Sequence, residues 1–485
     1  MRRLLACLVP VVACACTSAN FDVQGPGDDA GSEGDTLPLS DAVAFDSTPS
    51  DSGPTSDAPT DGGGVDTGVI GSDSGAIDGG AIDGGVIDTG VIGGDGGSGD
   101  AIASDVVFVD VIVPDASTGC TPLASSATEV FVGNRSTKPS VGTVDCPFHS
   151  ILEATSLSWS GAGTRTIHVL GASGSTTDYL ESGAVEVRAN VRLQGDGNRL
   201  NIGHGGPCPG VGGGTNCIVT VDAGGTLDGF TVSAGSGHAV VTGVGAPSPV
   251  VRNVIAMNAS GTGSFGFWVR GGAELGPNIV AINDGVGLDS SGNGTVHVLF
   301  SAGADNRFDN NAQTGLLMEG AATLVFEGGS VSKNGSHGIR FGGAPTGTHS
   351  IGGLTAIANA SAGILVGNNA SLVLRRSTLK QNRIGLVFVQ GFGNSVDLGR
   401  AGDPGGNVFA GATHSVLNSI AGVCLEQPRG TVQAQGDSWG ACPVAVTNVG
   451  GCDLSGGSYA DLYVHPPPTL PIGASVDTSG CATGP

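Results

Sequence analysis

Between Asn253 and Val389 the chain repeats one short frame, in which an asparagine closes an apolar stretch and a glycine followed by an apolar residue opens the next. The asparagines are Asn258, Asn283, Asn311, Asn334, Asn359 and Asn382, spaced by 25, 28, 23, 25 and 23 residues. The pairs that follow are Gly266-Phe267, Gly287-Leu288, Gly315-Leu316, Gly338-Ile339, Gly363-Ile364 and Gly385-Leu386. Three residues before each Asn stand Ile255, Val280, Phe308, Val331, Ala356 and Leu379, all apolar. Three residues after each Gly stand Val269, Ser290, Met318, Phe341, Val366 and Phe388, with one polar exception. The column between is mixed: Trp268, Asp289, Leu317, Arg340, Leu365 and Val387. Alternation of period two sends one set inward and the other outward.

A single coil of this length cannot bury its own apolar face, but stacked coils can. Equivalent strands then bond to one another about 4.8 Å apart, and the apolar columns become ladders inside a cylinder. In this reading each Asn serves as a turn residue that tolerates left-handed geometry, with its amide free to bond from coil to coil. The Gly lets the chain bend without a Cβ clash. The 88 glycines and the 4% aromatic content fit many short strands and tight turns.

Over residues 217–391 the pattern resembles the right-handed parallel β-helix superfamily that includes pectate lyases. The handedness follows from that resemblance and from the preference for right-handed crossovers. Val130-Phe131-Val132-Gly133 and Cys146-Pro147-Phe148-His149-Ser150-Ile151-Leu152-Glu153-Ala154 resemble the opening of a β-helix family of unknown function, an initial strand followed by a short capping helix. Gly406-Asn407-Val408-Phe409 and the run from Thr431 to Gly440 resemble its closing coils. The expected fold is all-β: a right-handed parallel β-helix, one domain over 119–485, preceded by a disordered tether.

The N-terminus reads as an address. Met1-Arg2-Arg3 is basic, and Leu4 to Val12 is apolar but too short to span a bilayer. Val11-Val12-Ala13-Cys14 resembles a bacterial lipobox, with Cys14 taking the lipid and Cys16 as the alternative. An ordinary signal peptide ending in Ala-x-Ala is the other reading of residues 1–16. Neither cysteine is followed by Asp. By resemblance to lipoprotein sorting, this implies the outer membrane or cell surface.

Residues 17–118 read as a disordered Asp/Gly-rich tether. Of the net charge of −24, most lies there: 20 acidic residues and no Lys or Arg between Phe21 and Asp115, leaving 23 acidic and 17 basic residues from Gly119 on. Such a segment buries too little apolar surface to offset its ordering entropy, and like charges extend it. It repels nucleic acid and anionic lipid, so no nucleic-acid partner is expected and the membrane is reached through the lipid anchor only. The regular Asp spacing meets neither the EF-hand loop nor the nine-residue calcium repeat.

Beyond the export region stand eight cysteines, an even set that in an exported chain points to disulfides. Pairing of sequence neighbours is expected: Cys120 with Cys146, Cys208 with Cys217, Cys424 with Cys442 and Cys452 with Cys481. Other connectivities remain open. No Cys/His spacing matches a zinc site, and no metal or cofactor is expected.

Two function classes follow. A β-helix enzyme of the lyase type needs carboxylates on neighbouring coils and a basic residue, yet Asp289 and Asp309 are each alone in their outward columns and lysines are scarce. The hydrolase type resembles polygalacturonases and needs an Asp-Asp pair, which occurs here only as Asp28-Asp29 in the tether, and a Gly-His-Gly, present as Gly203-His204-Gly205. Non-catalytic binding of an extended polysaccharide, or an envelope or adhesion role, is therefore favoured. Its candidate residues are Trp268, Asp289 and Arg340, with Trp268 either stacking on a sugar or packing beneath the Gly261 to Ser264 insertion. Arg375, Arg376, Lys380 and Arg383 form a basic group for an acidic glycan or a solvated face. A polysaccharide lyase or glycoside hydrolase is the alternative, and catalytic residues are unassigned.

Overall fold

The computed structural model describes residues 119–483, apart from 134–138, 160, 172–176, 196–199, 213, 262, 343–346, 368–369, 390–393, 410–417, 427–430, 445, 453–458 and 466–474. The signal, Cys14, Cys16 and the tether lie outside the described residues.

The described part is a parallel β-helix. A representative coil contributes three strands, Thr348–Gly352, Leu354–Ile357 and Ala362–Val366. Each pairs in parallel with its equivalent in the next coil: Ser371–Arg375, Thr378–Lys380 and Ile384–Val389. Three faces result, and the third carries the column described above. Its rungs run Phe267, Leu288, Leu316, Ile339, Ile364 and Leu386. All six are fully buried, as are Val269, Ser290, Met318, Val366 and Phe388, with Phe341 nearly so. The third-face register is the one the alternation predicts.

The Asn–Gly frame is real, but its two expected roles, left-handed turn and coil-to-coil amide bonding, fall on different residues. Asn311, Asn334, Asn359, Asn382 and Asn418 are buried and form an amide ladder. The backbone N–H of Asn311 donates to Asn334 Oδ1 (3.0 Å), Asn334 to Asn359 (3.2 Å), Asn359 to Asn382 (3.0 Å) and Asn382 to Asn418 (3.0 Å). Each Nδ2 donates to the same Oδ1 of the next coil. The left-handed residue is the one before: Asn258, Asn283, Asn310, Lys333, Ala358 and Gln381 all have φ between 54° and 61°. Asn258 and Asn283 thus belong to the turn position, and the ladder places in their coils are Ala259 and Asp284. The apolar column before the ladder shifts with them. It consists of Ala256, Ala281, Phe308, Val331, Ala356 and Leu379, in place of Ile255 and Val280 in the first two coils. Asn fits both adjacent positions, for unrelated reasons, and a count of asparagines cannot separate them.

The glycines serve closeness, not curvature. None of Gly266, Gly287, Gly315, Gly338, Gly363 or Gly385 has a positive φ. A Cβ on Gly338 would lie 2.5 Å from Gly363 O and 3.0 Å from Asn359 Nδ2. The bare Cα makes room for the amide ladder and for the next coil.

The N-terminal end is capped by the helix Ile151–Ser156, whose Ile151 and Ala154 are buried. Ser150 caps it by accepting from Glu153 N, and Glu181 accepts from the backbone N–H groups of Ile151 and Leu152. At the other end Trp439 is fully buried against Phe409.

Four disulfides occur: Cys120–Cys146 and Cys208–Cys217, as expected, and Cys424–Cys452 and Cys442–Cys481, which correct the neighbour pairing. Between Cys424 and Cys442 the chain runs on to other faces through Thr431–Ala434 and Ser438–Trp439. Cys442 instead meets Cys481, because Ser438–Trp439 pairs with Ala482–Thr483. At this end of the chain stacking, not order along the sequence, sets the pairing.

Candidate functional site

Trp268, Asp289 and Arg340 lie on one outward column of the third face, with Val241 before Trp268 and Leu317 between Asp289 and Arg340. At about 4.8 Å per rung, Arg340 stands roughly 14 Å from Trp268. One column therefore brings all three to one surface, but not into mutual contact.

Their environments differ. Arg340 is exposed. Trp268 is half-buried, its ring 4.7 Å from the His238 ring, and Phe265 stacks on the same imidazole at 4.8 Å. The Trp268 indole N–H donates to Ser291 Oγ (2.9 Å), and the Arg270 guanidinium lies 5.7 Å from the ring centroid. Trp268 thus packs among His238, Phe265 and Arg270. Asp289 departs from expectation: its column faces outward, yet it is only 3% exposed. Its Oδ1 has no hydrogen-bond partner among the described residues. Burial, with Glu319 nearby, pushes its carboxyl up to about 7. It presents a shielded acid, not an open carboxylate.

Beside Trp268 lies a pocket of about 250 Å³, lined by Gly210, Thr220, Asp222, Val241, Val244 and Arg270. The loop closed by Cys208–Cys217 forms one wall, and Arg270 Nη1 donates to Gly210 O (3.2 Å) to fix it. Thr220 Oγ1 is buried without a partner among the described residues. Burial raises the Asp222 carboxyl above its usual range, Glu186 adds to this and Arg188 opposes it. His238 is held neutral, its pKa lowered to about 4 by burial, while its Nδ1 accepts from Phe265 N. The pocket thus offers the Arg270 cation and the Asp222 carboxyl, with the Thr220 hydroxyl buried in its wall.

Sequence reasoning found Trp268 but missed Arg270, Thr220, Asp222 and His238. Arg270 was within reach, since it lies two residues beyond Trp268 and period two keeps it on the same face. Thr220 and Asp222 come from a strand and the loop after it two coils earlier, where the Asn–Gly frame is absent. Three of the other residues singled out in the sequence, Arg375, Asp309 and His204, take structural roles. Arg375 is tied to Asp397 (2.9 Å) and Asp403 (2.7 Å). Asp309 accepts from Ser332 N (2.8 Å). His204 is a left-handed strand-end residue at φ 81°. Among the described residues no three His, Cys, Asp or Glu side chains are grouped to hold a metal ion.

No family model matches the chain, and no curated protein matches it. Among solved structures it is similar to tailspike protein 3 of bacteriophage CBA120, at 15% identity and a TM-score of 0.21. The likeness covers 66% of this chain and 57% of that one. At that level it decides nothing about function, and the fold rests on the strand pairings themselves.

Proposed function

We propose that this protein is an exported, lipid-anchored β-helix of the pectate-lyase-like kind, whose third face binds an extended polysaccharide without cleaving it. The observation that carries the reading is the pocket beside Trp268. Its volume suits a single sugar ring, Asp222 and Arg270 on its lining suit ring hydroxyls, and the half-buried Trp268, next to the lining residues Val241 and Arg270, suits the apolar C–H face of an adjoining ring. Outward side chains on the next coils, Leu317 and Arg340 among them, extend the surface for further residues of a chain.

A polysaccharide array tests this, reading retention and chain length together. Trp268→Ala is expected to weaken retention of the bound polymer at least tenfold, with no shortening by the wild-type protein. Undiminished retention would remove the site from consideration. Release of reducing ends would favour the second reading, cleavage by a hydrolase or, if an unsaturated ultraviolet-absorbing end appears with them, by a lyase; the shielded acid of Asp289 beside Glu319 is its supporting feature. In that case Asp289→Asn would abolish release.

Export and anchoring rest on the Cys14 motif, and the four disulfides support an oxidising compartment. Replacing Cys14 and Cys16 together by Ser is expected to move the protein from the membrane fraction to the soluble one. A double variant that still sediments with membranes would contradict the lipid anchor.

A further inference from the structure

We propose that the N-terminal end of the β-helix holds a second site, which binds a small monocarboxylate with an apolar body through Arg165. Arg165 opens the strand Arg165–Val169, whose alternation turns Arg165, Ile167 and Val169 inward. It is only 2% exposed. Its Nε donates to Ala127 O (3.3 Å) and its Nη2 to Ser125 O (2.9 Å), while the guanidinium carbon sits 4.4 Å over the Trp159 ring. Nη1 has no hydrogen-bond partner among the described residues.

Arginine cannot shed its proton to relieve burial, and burial here works against its charge. A buried cation without a counter-charge is strongly unfavourable. The neighbouring carboxylates are already committed. Glu181 caps the helix Ile151–Ser156, Glu129 bonds His168, and Glu153 accepts from Ser140 Oγ. No carboxylate among the described residues forms an ion pair with Arg165.

The space in front of Arg165 supplies the rest of the argument. A cavity of about 300 Å³ opens there, walled by Leu123, Val141, Phe148 and Leu157. Its one charged lining group is Arg165. Two of the three guanidinium nitrogens are spent on carbonyls, which leaves the buried Nη1 as the one nitrogen without a partner among the described residues. One carboxylate suits that single nitrogen better than a phosphate dianion, which needs several donors. Mainly apolar walls, with Ser125 and Ser158 the polar exceptions, around one cation select a carboxylate attached to a short alkyl or aromatic body. This site does not depend on the polysaccharide reading, and either can fail alone.

The test uses the full-length protein with sodium hexanoate and sodium benzoate, against hexanamide and benzamide, at constant ionic strength. A saturable rise in Tm and a calorimetric binding isotherm are expected with the carboxylates and not with the amides. Arg165→Gln is expected to weaken binding at least tenfold. Leu123→Trp, which fills the cavity and leaves Arg165 in place, is expected to do the same, so the test survives if the arginine variant does not fold. The proposal is overturned if neither carboxylate gives a saturable response, if the amides respond equally, or if Leu123→Trp binds as the wild type does.

Discussion

Ile339→Asp is expected to lower the stability of the β-helix by about 4 kcal/mol or more, because it places an unpaired carboxylate inside the cylinder. Ile339 is fully buried, and its rung neighbours are Leu316 and Ile364. No group in that column can pair with a charge or donate a hydrogen bond to it. Arg340→Asp, one residue on, is expected to cost about 1 kcal/mol or less, since the position is exposed and charge effects there are screened. The same new residue at adjacent positions therefore separates inside from outside. Urea midpoints followed by circular dichroism would show it. Equal midpoints for the two variants would mean that the third-face register is misassigned.

Asp284→Asn is expected to stabilise the protein at pH 8 by on the order of 2–4 kcal/mol, and hardly at all at pH 4. Asp284 occupies an amide-ladder position and is 1% exposed. Its Oδ1 accepts from Ala259 N (2.7 Å), and its own N–H donates to Asn311 Oδ1 (3.1 Å). Its Oδ2 has no partner among the described residues, and lies where the other coils place an amide Nδ2. Burial pushes the carboxyl from 3.8 up to about 7. The folded state thus holds a proton that the unfolded chain releases near pH 4. The stability tied to that proton is complete below about pH 4 and is lost as pH rises through about 7. An asparagine supplies the missing donor at every pH, so the benefit grows across that same window.

Asp289 and Asp437 are likewise pushed to about 7 by burial, and titrate in the same direction. His238, His337 and His349 are lowered to about 4 and act the opposite way, losing stability as pH falls below about 6.5. The wild-type profile mixes these effects, but the difference between Asp284→Asn and wild type at each pH isolates one group. Thermal melts from pH 4 to pH 8 provide the check. A gain that is constant with pH would show that the Asp284 proton is not held by the fold.

The sequence by itself determined the parallel β-helix and the register of its third face. That information is local: period-two alternation, repeated at nearly constant spacing, assigns each residue to the inside or the outside without knowledge of its neighbours. Trp268 and Arg340 were placed on the outer surface on the same ground. What only the tertiary structure decided depends on which coil lies above which. Asn258 and Asn283 looked like ladder residues, but stacking gives that role to Ala259 and Asp284, because a left-handed turn residue and a buried amide can both be asparagine. Cys424 meets Cys452 rather than Cys442, because the polypeptide leaves the face and returns one coil later. Asp289 is outward by alternation yet buried, which the period along the chain does not reveal. Arg165 and its cavity were invisible for the same reason. Its partners, Ser125, Ala127 and Trp159, come from segments that no repeat relates to its strand, and burial of a charge is a property of three-dimensional packing, not of sequence order.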